Sequence, residues 1–170
     1  MGNDCLVSID DIAFQFVEQD REFCSYKFKK LGLRYEVAES ISTGDIVWFN
    51  GPFPASVNDR TIFRSKLKKH LSLGEKVVAD RGYEGDSRTI TPDDGKDYVH
   101  KRSMRKIRAR HETVNSRFKN WGCLDQTYRH DVKNHHIVFR SVVTLVQANT
   151  STGNIPIQLY SYEYNDPLVF

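Results

Sequence analysis

Three acids of this chain, Asp10, Asp80 and Glu112, have settings that could do chemistry. Asp80 ends a short apolar run, Val77-Val78-Ala79, within KVVADRGYEGD; Arg81-Gly82-Tyr83 and Gly85 then read as a turn. An acid where a buried strand meets a loop is held rigidly at a cleft, which suits a metal ligand. The plain alternative is a strand-end Asp capping its own turn. Asp10 stands inside CLVSIDDIAFQF, Cys5 to Phe16, whose β-branched and aromatic residues read as a strand. Strand side chains alternate, so Asp10 shares a side with Ser8 and Ile12, and Asp11 shares one with Ile9 and Ala13. Only one of the two can enter a given site, and Asp10 is the expected one. Glu112 lies at the edge of a helix's apolar stripe, on a face with Asn115, Ser116 and Lys119.

Carboxylates on a strand, a strand end and a helix form an oxygen donor set. Mg²⁺ or Mn²⁺ is a hard cation that keeps several waters, so two or three carboxylates suffice to hold it. Two such ions, about 3.5–4 Å apart, can neutralise a phosphodiester, activate water and stabilise the leaving oxygen. In that arrangement Asp10 bridges both ions, and Asp80 and Glu112 each favour one.

The elements that must position these acids follow from pattern. Phe23 to Ser42 reads as a second strand region, in which Arg34-Tyr35-Glu36-Val37-Ala38 alternates polar and apolar. Thr43-Gly44-Asp45 is a hairpin turn into a third strand, Ile46 to Phe49, which Asn50-Gly51-Pro52 should end. Asn58 or Asp59 caps a helix from Arg60 to Leu71, and the strand carrying Asp80 comes next. Ser87 to Tyr98 is a loop with room for a short strand at Thr89 to Thr91. His100 to Trp121 is a long helix with the stripe Met104, Ile107, His111, Val114, Phe118 and Trp121, and Gly122 should stop it. Asn134 to Asn149 is a second, very apolar helix. An aromatic tail, Leu159 to Phe170, has no decided structure.

The long helix is also the basic part of the chain. Lys101, Arg102, Arg105, Lys106, Arg108, Arg110, Arg117 and Lys119 surround Glu112 as the only acid. A solvated helix normally mixes signs, so one-sided charge suggests phosphates, with a plain basic surface as the alternative. Arg105, Arg108 and Lys119 are the residues expected on a nucleic-acid backbone. At 170 residues and a net charge of +3, the chain is one domain with one core, 1–150, and a tail, 151–170. No apolar run spans a bilayer and no leader is visible. Cys5, Cys24 and Cys123 are odd in number and without CxxC spacing, so an intracellular location is expected. Cys123, His130, His135 and His136 offer zinc-type ligands, but at no standard finger spacing.

The blocks VSIDDIAF around Asp10, RYEVAESISTGDIVWFNGPFP, Asn58-Asp59, ADRGYEG around Asp80 and RARHETVNSRFKNWGCL around Glu112 occur in this order. Over Leu6 to Gln147 they resemble the catalytic domain of DDE-type transposases, in particular Harbinger-type DDE superfamily endonucleases and bacterial insertion-sequence relatives. The resemblance implies an α/β, RNase H-like fold: a mixed central β-sheet flanked by α-helices. It implies two Mg²⁺ or Mn²⁺ ions, DNA as substrate, and catalytic roles for Asp10, Asp80 and Glu112. Asp59 matches a position beside the site, as a supporting residue or a helix cap. Relatives carry a DNA-binding helical domain before the first Asp. Asp10 stands nearly at the start here, so a transposon-derived catalytic domain without that part is expected, nuclear if the host is eukaryotic. A homodimer and a separate DNA-binding protein that supplies target recognition are the candidate partners. The alternative is a domesticated, non-catalytic nucleic-acid or protein-binding module with the same fold.

Overall fold

The computed structural model describes residues 5–17, 24–25, 30–94 and 98–156. Strand β1 (Cys5–Gln15) lies at the centre of a mixed sheet. Its alternation of Ile12 and Phe14 with Ile9 and Ala13 lets both faces be covered. On one side β1 pairs antiparallel with β3 (Lys30–Ser40), Asp10 opposite Val37 and Asp11 opposite Glu36. On the other it pairs parallel with β5 (Lys76–Val78), which in turn pairs parallel with β6 (Thr89–Ile90). The two-residue β2 (Cys24–Ser25) joins the start of β3, and β4 (Ile46–Pro54) pairs antiparallel with β3. The molecule is therefore of the α/β class.

The expected hairpin is present, with Gly44 at a φ of 77° in its turn. The third strand does not stop at Asn50-Gly51-Pro52 but continues to Pro54. The pairing jumps there: Glu36 faces Asn50 and Arg34 faces Phe53. The intervening residues bulge over Tyr35, and the Gly51–Pro52 peptide is cis. Gly51 has φ 144°, and a Cβ there would come within 2.6 Å of the Tyr35 ring, so glycine is required at this close approach.

Helices cover both faces. Helix α1 (Asp59–Ser65) starts at Asn58, whose side chain accepts the Arg60 N–H at 3.0 Å, so Asn58 and not Asp59 is the cap. The single helix expected to Leu71 breaks at Lys66 into α1 and α2 (Leu67–His70). Phe63, Leu67 and Tyr83 pack with Ile9, Ala38, Val77 and Ala79 on this face. The other face carries α3 (Tyr98–Lys119), the short α4 (Gly122–Asp125) and α5 (His135–Ser151). There Ile12, Phe14, Tyr35 and Val37 meet Val114, Phe118, Phe139 and Val142. Met104 and Ile107 close over Val78.

Two details of the long helix differ from expectation. It ends at Lys119, and Trp121, 40% exposed, begins α4 instead of completing the apolar stripe. Gly122 opens that short helix and does not stop the long one. Among the described residues no helix is long and apolar enough to cross a membrane. Cys123 is an exposed free thiol. The aromatic tail from Leu159 onward lies outside the described residues.

Candidate active site

The parallel pairing of β1 with β5 sets the geometry. Ser8 lies beside Val78, so Asp10 and Asp80, each two residues further along, emerge side by side. Both line one narrow cleft of about 10 Å³ with Ser8, Ala79, Ile107, Arg108 and His111. Helix α3 forms its roof. Asn115 Nδ2 donates to Asp10 Oδ2 at 3.1 Å, and the Asp11 N–H donates to Asp10 Oδ1 at 2.9 Å. The other carboxylate is fixed by its own turn: the Gly82 N–H donates to Asp80 Oδ1 at 2.7 Å as the chain enters a 3-10 turn, Arg81–Tyr83. A Cβ on Gly82 would overlap Asp59 Oδ2 and lie 3.0 Å from Asp80 Oδ1. Only glycine lets Asp59 and Asp80 flank the backbone this closely.

Electrostatics separate Asp10 from its neighbour. Burial pushes the Asp10 carboxyl up to about 7, and the charges of Asp11 and Asp80 add to this. The Asp11 N–H and the Arg108 guanidinium pull the other way. Asp11 leaves the opposite face of the sheet, where Arg34 Nε lies 3.1 Å from Asp11 Oδ2. Arg34 Nη1 also bonds Asp59 and, at 3.0 Å, the Val57 carbonyl. One guanidinium thus reaches both Asp11 and Asp59, whereas among the described residues no cation forms a salt bridge with Asp10 or Asp80.

Glu112 is not among the residues that line this cleft. It is exposed on α3, between Arg108 one turn before it and Asn115 one turn after, on the helical face that fronts the cleft. Among the described residues no three of His, Cys, Asp and Glu form a group that could hold a metal ion. This removes the zinc reading of Cys123 and the three histidines: His135 is buried, its Nδ1 bonded to the Tyr35 hydroxyl at 2.8 Å. The fit to a hard divalent cation rests on Asp10 and Asp80. Two neighbouring carboxylates, one of them held at the edge of the core, offer the oxygen donors such a cation takes, and one or two carboxylates are the usual protein share.

Beside Asp80 opens a groove of about 560 Å³, lined by Arg81, Pro92, Asp93, Lys101, Met104, Arg105 and Arg108. Lys101, Arg105 and Arg108 are presented one helical turn apart along α3. Among the described residues no carboxylate pairs with them, whereas Arg81 is tied to Asp93 at 2.9 and 3.1 Å. Arg105 and Arg108 line this groove together with Lys101, whose i, i+4, i+7 spacing with them was readable in the sequence, and with Arg81 from the turn after Asp80. Lys119 is exposed at the far end of the helix. Arg110, counted with the basic surface, is 2% exposed and donates to the Ser40 and Ile41 carbonyls at 3.2 and 2.7 Å. It pins α3 to the end of β3 and is not a surface cation.

The chain matches the DDE superfamily endonuclease family over residues 5–147, most of its length. The chain belongs to that family. No curated protein and no solved structure matches it.

On the α1 face Glu36 is fully buried, neither oxygen having an aligned hydrogen bond. Burial raises its carboxyl to about 8, and the charges of Asp59 and Asp11 add to this; the nearby Trp48 indole tempers it. A raised acid stabilises the fold at low pH, and that contribution is lost as pH climbs from about 4.5 through about 8. Glu36→Gln cannot ionise. Its melting temperature should therefore gain on wild type steadily between pH 5 and pH 8, as followed by circular dichroism; parallel curves would show that Glu36 is not held neutral.

Proposed function

We propose that this chain is a divalent-metal-dependent DNA endonuclease of the transposase type, working by a two-metal mechanism on an RNase H-like fold. The observation that carries the reading is the meeting of Asp10 and Asp80 in one cleft under α3, beside a groove whose Lys101, Arg105 and Arg108 pair with no carboxylate among the described residues. The sheet supports the fold assignment: two antiparallel neighbours, β3 and β4, on one side of β1 and two parallel strands, β5 and β6, on the other.

In this reading Asp10 and Asp80 hold the ions, and Glu112 is the third carboxylate, offered from the α3 face above them. Mg²⁺ or Mn²⁺ bound there would neutralise the phosphodiester, activate a water and stabilise the leaving oxygen. The chain's own residues do the rest. Asn115 and the Asp11 N–H each engage one Asp10 oxygen and so fix the plane of its carboxylate. The Gly82 N–H engages one oxygen of Asp80. Arg108, which borders both cleft and groove, is set to hold the scissile phosphate, with Arg105 and Lys101 along the adjoining backbone and Lys119 further along the helix. Asp59 supports the site through Arg34 and its contact across Gly82. A homodimer, or a separate protein that supplies target recognition, would complete a working assembly.

Asp10→Ala, Asp80→Ala and Glu112→Ala should each abolish Mg²⁺-dependent nicking of plasmid DNA while the circular dichroism spectrum stays native. Calorimetry should show Mn²⁺ binding that Asp80→Ala removes. No Mn²⁺ binding by folded wild type would favour a non-catalytic binding module, and activity lost in Asp11→Ala but kept in Asp10→Ala would reverse the choice of sheet face. Binding to DNA should weaken with salt, and each of Lys101→Gln, Arg105→Gln and Arg108→Gln should lower the slope of log K against log salt by about one. Affinity that stays flat as salt rises would remove the phosphate contacts from the account.

A further inference from the structure

Behind Asp10, on the same face of the sheet, lies a buried pair that the cleavage chemistry does not use. Glu39 stands opposite Ser8 across the β1–β3 ladder, so its side chain leaves the sheet with those of Ser8 and Asp10. It is 0% exposed, and neither carboxylate oxygen has an aligned hydrogen bond. Its Oε1 is 3.1 Å from Nδ1 of His111, itself buried in the middle of α3. The other ring nitrogen, Nε2, donates to the Ser8 carbonyl at 3.1 Å. A carbonyl can only accept, so Nε2 carries a proton and Nδ1 is the atom turned to Glu39.

Burial lifts the Glu39 carboxyl to about 8, with Asp10 adding to this and Arg110 and Arg117 opposing it. One proton between Oε1 and Nδ1 leaves no net charge, on whichever atom it sits. The result is a polar tie across three elements, from β3 through the ring of α3 to the backbone of β1. His111 also lines the cleft that Asp10 and Asp80 share.

A plain apolar contact would hold α3 on the sheet just as firmly, but it would fix neither register nor rotation. A hydrogen bond at Nε2 and a close polar contact at Nδ1 constrain both. We propose that Glu39 and His111 are positioning residues: their tie sets where the middle of α3 crosses β1, and so where Arg108, Glu112 and Asn115 stand over Asp10 and Asp80. What the tie positions rests on the metal-dependent reading above; the tie itself rests on the geometry alone.

The test compares the full chain with Glu39→Leu and Glu39→Gln, by Mn²⁺ calorimetry, thermal melting and hydrogen exchange of the α3 amides from His111 to Asn115. Leucine removes the tie while filling the space, and apolar replacement of a buried ionisable group is often neutral or stabilising. Glu39→Leu should therefore melt no lower than wild type yet bind Mn²⁺ about tenfold more weakly, the scale on which supporting groups tune metal sites. Glu39→Gln, whose amide can donate to Nδ1, should keep wild-type affinity. A purely structural role would lower the melting temperature and leave the affinity of the folded protein alone. Unchanged affinity in Glu39→Leu, or Glu39→Gln as weak as Glu39→Leu, overturns the proposal. If Glu39→Leu does not fold, His111→Leu cuts the same tie from the helix side and is read in the same way. If wild type binds no Mn²⁺, the metal reading is lost but exchange still decides. Faster exchange in Glu39→Leu than in wild type and Glu39→Gln supports the tie, and equal exchange overturns it.

Discussion

Two carboxylates of the same charge, Asp10 and Asp80, share a cleft largely closed to water, and the fold has to hold them there against their repulsion. The parallel pairing of β1 and β5 brings their backbones side by side. Hydrogen bonds from Asn115, the Asp11 N–H and the Gly82 N–H then occupy one or both oxygens of each. Helix α3, pinned by Arg110 and His111 and packed through Val114 and Phe118, shuts the cleft from above.

The two faces of the sheet treat their acids differently, and this gives the site its selectivity among neighbours. On the α1 face Arg34 reaches both Asp11 and Asp59, so both acids have an ion-pair partner within the protein. On the α3 face Arg108 borders the groove and influences Asp10 without forming a salt bridge with it. Adjacent acids in sequence thus end with opposite fates: one is an internal salt-bridge partner, and the other is held by neutral hydrogen-bond donors at the cleft. Asp86 shows the fully compensated extreme in the same loop. Burial works against its ionisation, yet Lys68, Arg64 and the Arg88 N–H hold its carboxyl down at about 2.

Much of this was readable from residue order. The period of two in β1 separates Asp10 from Asp11, and the three-and-four spacing of Met104, Ile107, His111, Val114 and Phe118 names the buried side of α3. The hairpin at Gly44 follows from local turn chemistry. What escaped depends on distant partners. The alternation of Arg34 to Ala38 reads as a strand, but helices cover both faces of it, so Glu36 on one and Glu39 on the other become buried acids. Strand β4 passes Gly51 and Pro52 because the bulge wraps Tyr35, which lies on another strand. Arg110 looks like its basic neighbours until the carbonyls of Ser40 and Ile41 turn under it. Glu112 remains the acid whose place in the site its helix face suggests but no contact fixes, since it is exposed and outside any three-ligand group.

A crystal of the protein soaked in Mn²⁺ and measured at the manganese absorption edge decides whether Asp10 and Asp80 form the floor of a cation site. An anomalous peak should lie between the two carboxylates, with oxygens of both at roughly 2.0–2.2 Å, the range of small hard divalent ions. A well-ordered cleft with no peak at millimolar Mn²⁺, or a peak bound elsewhere while Asp10 and Asp80 stay unliganded, would contradict it.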